Sequence, residues 1–291
     1  MIATAFAELS NNLADLVARF VPHVVEVESR RSLANGFVWR DGLVVTPDET
    51  LAEEGAVRIE TADGTVLDAE VVGRDAATDI ALLRVAGLTK ASAPFATQVV
   101  RPGALALIVG AAESAPIVAH GMVAVVGPSW QSMRGGMIDV RLELDLRLRR
   151  RAEGSLALSG EGAAFGMAVR GPRGRTLVIP AATIERIAGA LAANGRVPVA
   201  YLGAGLRDVI VGDDRGRGAM VMSVDHHGPA ASAGIDQGDI VLSWNGVRQR
   251  HVGMLLQTLR ATPVGAAVTL EVRRAAATRD VLVTIGDRPE R

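Results

Sequence analysis

Residues 69–85 read AEVVGRDAATDIALLRV, two aliphatic runs flanking a polar turn from Arg74 to Thr78. Short runs of Val, Ile and Leu bounded by Asp, Gly and Thr mark β-strands. Working outward towards the N-terminus, the same rhythm appears in HVVEVES (23–29), GFVW (36–39), LVVT (43–46) and AVRIET (56–61), punctuated by Arg40-Asp41-Gly42 and Asp63-Gly64. With VLDAEVVG (66–73) and DIALLRV (79–85), this makes about six strands, enough to close one small barrel. Towards the C-terminus a second set begins at Ala104: ALALIVG, MVAVVG, MIDVRLELDLRL, SLALSG, AAFGMAV and RTLVIP. Two successive sets of equal strand count predict a double β-barrel.

Helical spacing appears at Phe6, Leu9, Leu13, Leu16, Val17 and Phe20, where Pro22 ends the pattern, and again from Ala181 to Ala193, where Gly195 suits a helix stop. Arg196 to Ala200 is the natural boundary. Beyond it the order changes to strands YLGAGL and AMVMSV, a short helix near Ala230 to Ala233, strand DIVLSWNG, a helix from Val252 to Leu259, and strands VTLEVRR and RDVLVTI. The expected division is a helical segment over 1–22, a double barrel over 23–195 and an independent unit over 196–291.

Composition narrows the function classes. The formal net charge of -1 gives no field to attract nucleic acid or an anionic membrane. Trp39, Trp130 and Trp244 are too scattered for a base-stacking platform, and the RLRRR run has no interleaved aromatics. With no Cys, disulfides and thiolate chemistry are excluded. The longest apolar stretch, around Ala104 to Val109, is far shorter than the ~20 residues of a membrane helix. The N-terminal residues lack a basic segment and an unbroken apolar core, so they do not read as a signal peptide. If Met1 is the native start, this predicts a cytoplasmic protein; removal of a leader would make it periplasmic. Adjacent His226 and His227 read as exposed turn residues rather than metal ligands. No cofactor is implied.

DGLVVT (41–46), residues 69–85, VIPAATIERIAGALAANGRV (178–197) and YLGAG (201–205), in this order and spacing, resemble the HtrA/Deg family of trypsin-like serine proteases with a C-terminal PDZ domain. GPAASAGIDQGDIVLSWNG (228–246) is similar to the family's GSPAxxAGLxxGDVIxxxNG pattern. The resemblance covers nearly the whole chain. It implies a mainly β protein: a chymotrypsin-like double β-barrel, then an α+β PDZ domain forming a small, partly open barrel.

Such proteases need a Ser hydroxyl, a His to take its proton, an Asp to orient the His, and backbone N–H groups for the oxyanion. The family's His motif aligns without gaps onto DGLVVTPDETL (41–51) and places Glu49 at the His position. A carboxylate with an ordinary pKa of about 4.3 is a poor base for a Ser hydroxyl. The family Asp is retained as Asp79, which also suits a turn anchor. The nucleophile motif aligns onto LDLRLRRRAEGSLAL (144–158) and places Glu153 at the Ser position, with Arg151-Ala152-Glu153 replacing the oxyanion loop. Ser155 lies within reach of a small loop shift. Glu49, Asp79 and Glu153 are therefore expected to converge. Like charges so close would raise one another's pKa unless a cation sits among them. Arg147, Arg149 and Arg151, at strand period, are one candidate source, and a divalent cation on the three carboxylates is another. The reading favoured over both is that the loops have collapsed and the acids point into water.

In PDZ domains of this family a ligand C-terminus adds a strand beside a helix, and a Gly-containing loop holds its carboxylate. The resemblance assigns that loop to Tyr201, Leu202, Gly203, Ala204 and Gly205, and the helix wall to Val252, Leu255, Leu256 and Leu259, some of which must serve the core instead. The expected function is a catalytically inactive HtrA-like scaffold that binds peptide or protein C-termini. An active serine endopeptidase using Ser155 and a structural subunit of a larger complex are the alternatives. Family members often trimerise through the N-terminal segment, here Met1 to Phe20, so a homo-oligomer is also implied.

Overall fold

In the computed structural model, which describes residues 2–30, 32–96, 100–211 and 216–289, the first aliphatic runs form β1 (Val24–Ser29), β2 (Ser32–Arg40), β3 (Leu43–Thr46), β4 (Val57–Thr61), β5 (Val66–Asp75) and β6 (Ile80–Val85). They close into a barrel in the order β1-β2-β3-β6-β5-β4. Strand alternation sorts their side chains. Val25, Val27, Val38, Val44, Ala81 and Leu83 fill the barrel, while Val24, Phe37, Trp39, Val45, Ile80 and Leu82 face a layer shared with the second barrel and the helices. Both faces being apolar, these strands read as continuous hydrophobic runs rather than alternating ones.

The second set supplies β7 (Leu105–Ala112), β8 (Ala115–Gly127), the small hairpin β9 (Trp130–Gln131) and β10 (Met137–Ile138), then β11 (Arg141–Leu144), β12 (Leu156–Ser159), β13 (Ala164–Arg170) and β14 (Thr176–Pro180). The closed order is β11-β14-β13-β12-β7-β8. The run MIDVRLELDLRL does not form the single strand expected of it. Its pairing with β8 shifts register between Glu143 and Leu144, after which the Thr176 hydroxyl takes over the backbone: it donates to Leu146 O at 2.7 Å and accepts from Leu148 N at 3.1 Å.

Helix α1 (Ile2–Phe20) inserts its last turns, Leu16 and Phe20, into the shared layer; Met1 and the Phe6 side chain, both in the predicted helical segment, lie outside the described residues. Helix α2 (Ala181–Asn194) buries Ile184, Ile187, Ala188 and Leu191. It ends where Gly195 adopts φ 70° and returns its N–H to Leu191 O at 2.8 Å, a conformation that costs glycine nothing. No described helix is long and apolar enough to cross a membrane.

The chain divides into two compact units between Val197 and Pro198. The second holds β15 (Ala200–Tyr201), β16 (Ala204–Val211), β17 (Gly216–Val224), α3 (Pro229–Ser232), β18 (Ile240–Trp244), β19 (Val247–Arg248), α4 (Val252–Ala261), β20 (Ala267–Arg274), β21 (Ala277–Thr284) and β22 (Gly286–Asp287). Its main sheet runs β16-β17-β18-β20-β21, so β16 is an edge strand. The predicted fold class, a mainly β double barrel followed by a PDZ domain, is the one observed.

Candidate functional site

Pro47 closes β3 and starts a short 3₁₀ turn, Asp48–Thr50, that presents Glu49. Arg74, next to last in β5 before the turn into β6, fixes that segment from behind. Its Nε donates to Asp48 Oδ1 at 2.5 Å, and its remaining nitrogens donate to the carbonyls of Asp48, Leu51 and Ala52 at 3.0–3.1 Å. Asp79, at φ 58°, ends the same turn, and its Oδ1 accepts the Glu49 N–H at 2.8 Å. Both acids line a cavity of about 450 Å3 whose other walls are the β9–β10 hairpin and the ends of β13 and β14. The hairpin is tied down by Ser132, whose Oγ donates to Ala77 O at 2.5 Å and accepts the Gly136 N–H at 3.1 Å.

Burial pushes the Asp79 carboxyl up to about 7; the Glu49 N–H opposes this, and the nearby charges of Glu49, Glu153 and Asp48 add to the rise. Asp79 thus changes charge near neutral pH. Glu49 is half-exposed and pairs with Arg134 of the hairpin at 3.3 Å.

Glu153 does not point into water. It is 4% exposed, with Oε2 on Arg170 Nε at 2.9 Å and Oε1 on the Arg170 backbone N–H at 3.2 Å. Its own N–H donates to Arg150 O at 3.3 Å within the 3₁₀ turn Arg150–Ala152. Its carbonyl accepts from Asn35 N at 2.7 Å. Asn35 is fully buried; its Nδ2 donates to Arg151 O and its Oδ1 accepts the Ala111 N–H at 2.5 Å. Gly154, at φ 90°, passes so close that a Cβ would lie 2.0 Å from Asn35 O. A loop held at this many points is built rather than collapsed.

Of the three acids expected to converge, Asp79 accepts the Glu49 backbone N–H, and the charges of Glu49 and Glu153 both raise the Asp79 carboxyl. Their cations are not those expected. The chain leaves the sheet after Leu144, so Arg147, Arg149 and Arg151 share no strand face, and Arg151 turns to Glu113 at 2.6 Å and Glu26 at 3.4 Å. Arg134 and Arg170 take the role instead. A lone charge closing the apolar strand FGMAV was the one hint of Arg170; nothing in the sequence tied Arg134 to Glu49. The divalent-cation reading of Glu49, Asp79 and Glu153 is also corrected: among the described residues no group of three His, Asp or Glu side chains is placed to hold a metal, because Glu153 is committed to Arg170. Ser155 is fully buried and is not among the residues lining the cavity. Among the described residues its Oγ has no hydrogen-bond partner, and a Cβ on Gly110 would lie 2.2 Å from it.

In the second unit, Tyr201 pairs with Gly286 and its hydroxyl lies 3.1 Å from Asp225 Oδ2. Leu202 is buried in the core. The carbonyls of Leu202 and Gly203 accept from Ala230 N and Asp225 N, both at 2.8 Å, which fixes the loop shape. Ala204 and Gly205 enter β16, pairing with Val224 and Ser223. The helix-wall candidates divide. Leu255 and Leu259 are core residues, a correction to their assignment to a ligand pocket, whereas Val252 and Leu256 are only partly buried. A contact missed in the sequence joins the two walls: Asp208 Oδ1 of β16 accepts the Val252 N–H at the start of α4, at 2.6 Å. His226 and His227 are exposed, as expected of turn residues.

A trypsin-like peptidase domain profile matches residues 34–167 and a PDZ domain profile residues 200–285. Among curated proteins, the chain is 28% identical over 269 residues to "Probable periplasmic serine endoprotease DegP-like" of Rhizobium meliloti (strain 1021), covering 87% of this chain and 53% of that protein. A protein of the same description from Pseudomonas putida (strain W619) is 27% identical over 278 residues, covering 89% of this chain and 57% of the other. The chain thus spans about half the length of these relatives. Among solved structures, the serine endoprotease from Yersinia pestis superposes with a TM-score of 0.72 at 23% identity, covering 94% of this chain and 98% of that one. The HtrA-type protease AlgW with decapeptide gives 0.73 at 18% identity, covering 96% and 99%.

Proposed function

We propose that this chain, which carries the trypsin-like barrel and PDZ pair of the HtrA/DegP family, is a non-proteolytic member that binds peptide or protein C-termini through its PDZ unit. The observation that carries the reading is Glu153. At the nucleophile position stands a buried carboxylate locked to Arg170, and its N–H, which an oxyanion would need, is spent on Arg150 O. A second support is Glu49 at the base position, ion-paired to Arg134. Catalysis of acyl transfer needs nucleophile, base and oxyanion donors together. For the binding role, support comes from the fixed loop at Leu202 and Gly203, the open edge of β16 and the partly buried Val252 and Leu256 opposite. AlgW was solved with a decapeptide, and the relatives are described as probable periplasmic endoproteases; a periplasmic, oligomeric peptide-binding scaffold is the corresponding reading for this chain.

A fluorogenic casein assay together with a fluorophosphonate probe tests it. The expected result is no turnover and no labelling. Labelling at Ser155 would establish the alternative, an active serine endopeptidase whose loop rearranges to bring that buried hydroxyl out. A library of C-terminal peptides tests the binding half, and absence of any binder at high micromolar concentration would favour a purely structural subunit.

A further inference from the structure

We propose that the cavity beside Asp79 binds an organic cation, an ammonium or guanidinium on an apolar body, with the Asp79 carboxylate as its counter-ion. The charge count points there. Four acids surround this corner of the barrel unit, and three are matched: Asp48 by Arg74 at 2.5 Å, Glu49 by Arg134 at 3.3 Å and Glu153 by Arg170 at 2.9 Å. Asp79 receives one backbone N–H and no guanidinium among the described residues. With Asp79 ionised the corner is one positive charge short.

The walls select the body of the ligand. Beside Glu49 and the paired Arg134 and Arg170, the walls are Trp130, Ile138, Val169, Leu177 and Ile179, which suit an aryl or alkyl group and offer no oxygen cage to a hydrated metal ion. The volume of about 450 Å3 lies within the roughly 300–1,000 Å3 of small-ligand pockets. An ion pair formed against such walls is stronger than one in open water. Either a free small amine or guanidine, or the Lys or Arg side chain of a peptide, has this chemistry. The inference stands independently of the proposal that the chain does not cut peptides.

Binding is coupled to a proton. Asp79 faces Glu49 and Glu153 as well as Asp48, with Arg134, Arg170 and Arg74 already engaged, and its carboxyl titrates near about 7. A cation therefore displaces the Asp79 proton at lower pH. Affinity should rise by up to about tenfold per pH step below neutrality and level off above it.

The test is calorimetric titration of the full chain with phenylguanidine, its neutral isostere phenylurea, and an acetylated tripeptide amide bearing a central arginine, at several pH values. Saturable binding of phenylguanidine or the peptide, at least roughly tenfold weaker in Asp79→Asn and with proton release at acid pH, is the expected result; the tighter of the two identifies the source. Asp79→Asn keeps the oxygen that accepts the Glu49 N–H. Phenylurea binding as tightly as phenylguanidine, an affinity that does not change with pH, equal binding by Asp79→Asn, or no saturable binding of either cation at millimolar concentration would each overturn the proposal.

Discussion

Replacing Asp79 by Asn is the most informative single perturbation of the barrel unit. The carboxyl titrates at about 7 instead of its ordinary 3.8, chiefly because it is buried. A folded-state value raised above the unfolded one means that the native state holds its proton longer. Stability from this group is then full below the ordinary value and is lost as pH rises towards the folded value. The gap is about three pKa steps, and at ~1.4 kcal/mol each it corresponds to about 4 kcal/mol of stability forfeited between pH 4 and pH 7. Asn cannot ionise, can still accept the Glu49 N–H, and tolerates the φ of 58° at this position. Urea unfolding followed by tryptophan fluorescence is the assay, since Trp39 and Trp130 both lie in the barrel unit. The difference between variant and wild type should favour Asn increasingly with pH, by up to about 4 kcal/mol at neutrality, and then stay flat. A difference that is constant across this range would refute the reasoning, as would a variant less stable than wild type above neutrality.

Asn35→Ala leaves the Glu153 carbonyl bond intact but strips the side-chain contacts to Arg151 and Ala111 from a fully buried site; a loss of about 2–3 kcal/mol is expected by chemical denaturation. Gly154→Ala must accommodate a Cβ 2.0 Å from Asn35 O at φ 90°, and should destabilise by about 2 kcal/mol or more in a thermal melt. In the second unit, Leu255→Ala empties a fully buried site and should cost about 2–5 kcal/mol, whereas Leu256→Ala, only partly buried, should leave the melting temperature nearly unchanged and lower peptide affinity in fluorescence polarisation. On the proposed reading of Glu49 as the residue at the base position, Glu153→Ser alone should remain unlabelled by a fluorophosphonate, with Arg150 O still holding the residue-153 N–H; labelling would show that the loop reopens.

Most of the fold was legible in the order of elements. Strand runs, turn residues and the stop at Gly195 depend on local rules of dihedral preference and side-chain period, and they hold because the barrel strands β1 to β3, β6, β7, β12 and β13 are largely buried. The stretch that misled was residues 137–148. Its alternation satisfies the strand pattern as far as Leu148, but β11 ends at Leu144, and beyond the Asp145 N–H, which still bonds Met122 O, the Thr176 hydroxyl takes the Leu146 carbonyl and the Leu148 N–H. Those bonds come from a side chain far along the sequence, so no local pattern could show them.

By itself the sequence, read against the family's turn motifs, singled out Glu49, Asp79 and Glu153 as the residues proposed for the triad positions. It also determined the six strands of the first barrel and the order of double barrel and PDZ domain. The tertiary structure alone decided what those acids do. Ion pairing depends on distances across strands, and it assigned Arg134, Arg170 and Arg74 as partners while leaving Asp79, among the described residues, with a backbone N–H only. Burial, likewise a property of the packed molecule, turned Asp79 from an ordinary acid into one that titrates near neutrality, and it sealed Ser155 inside.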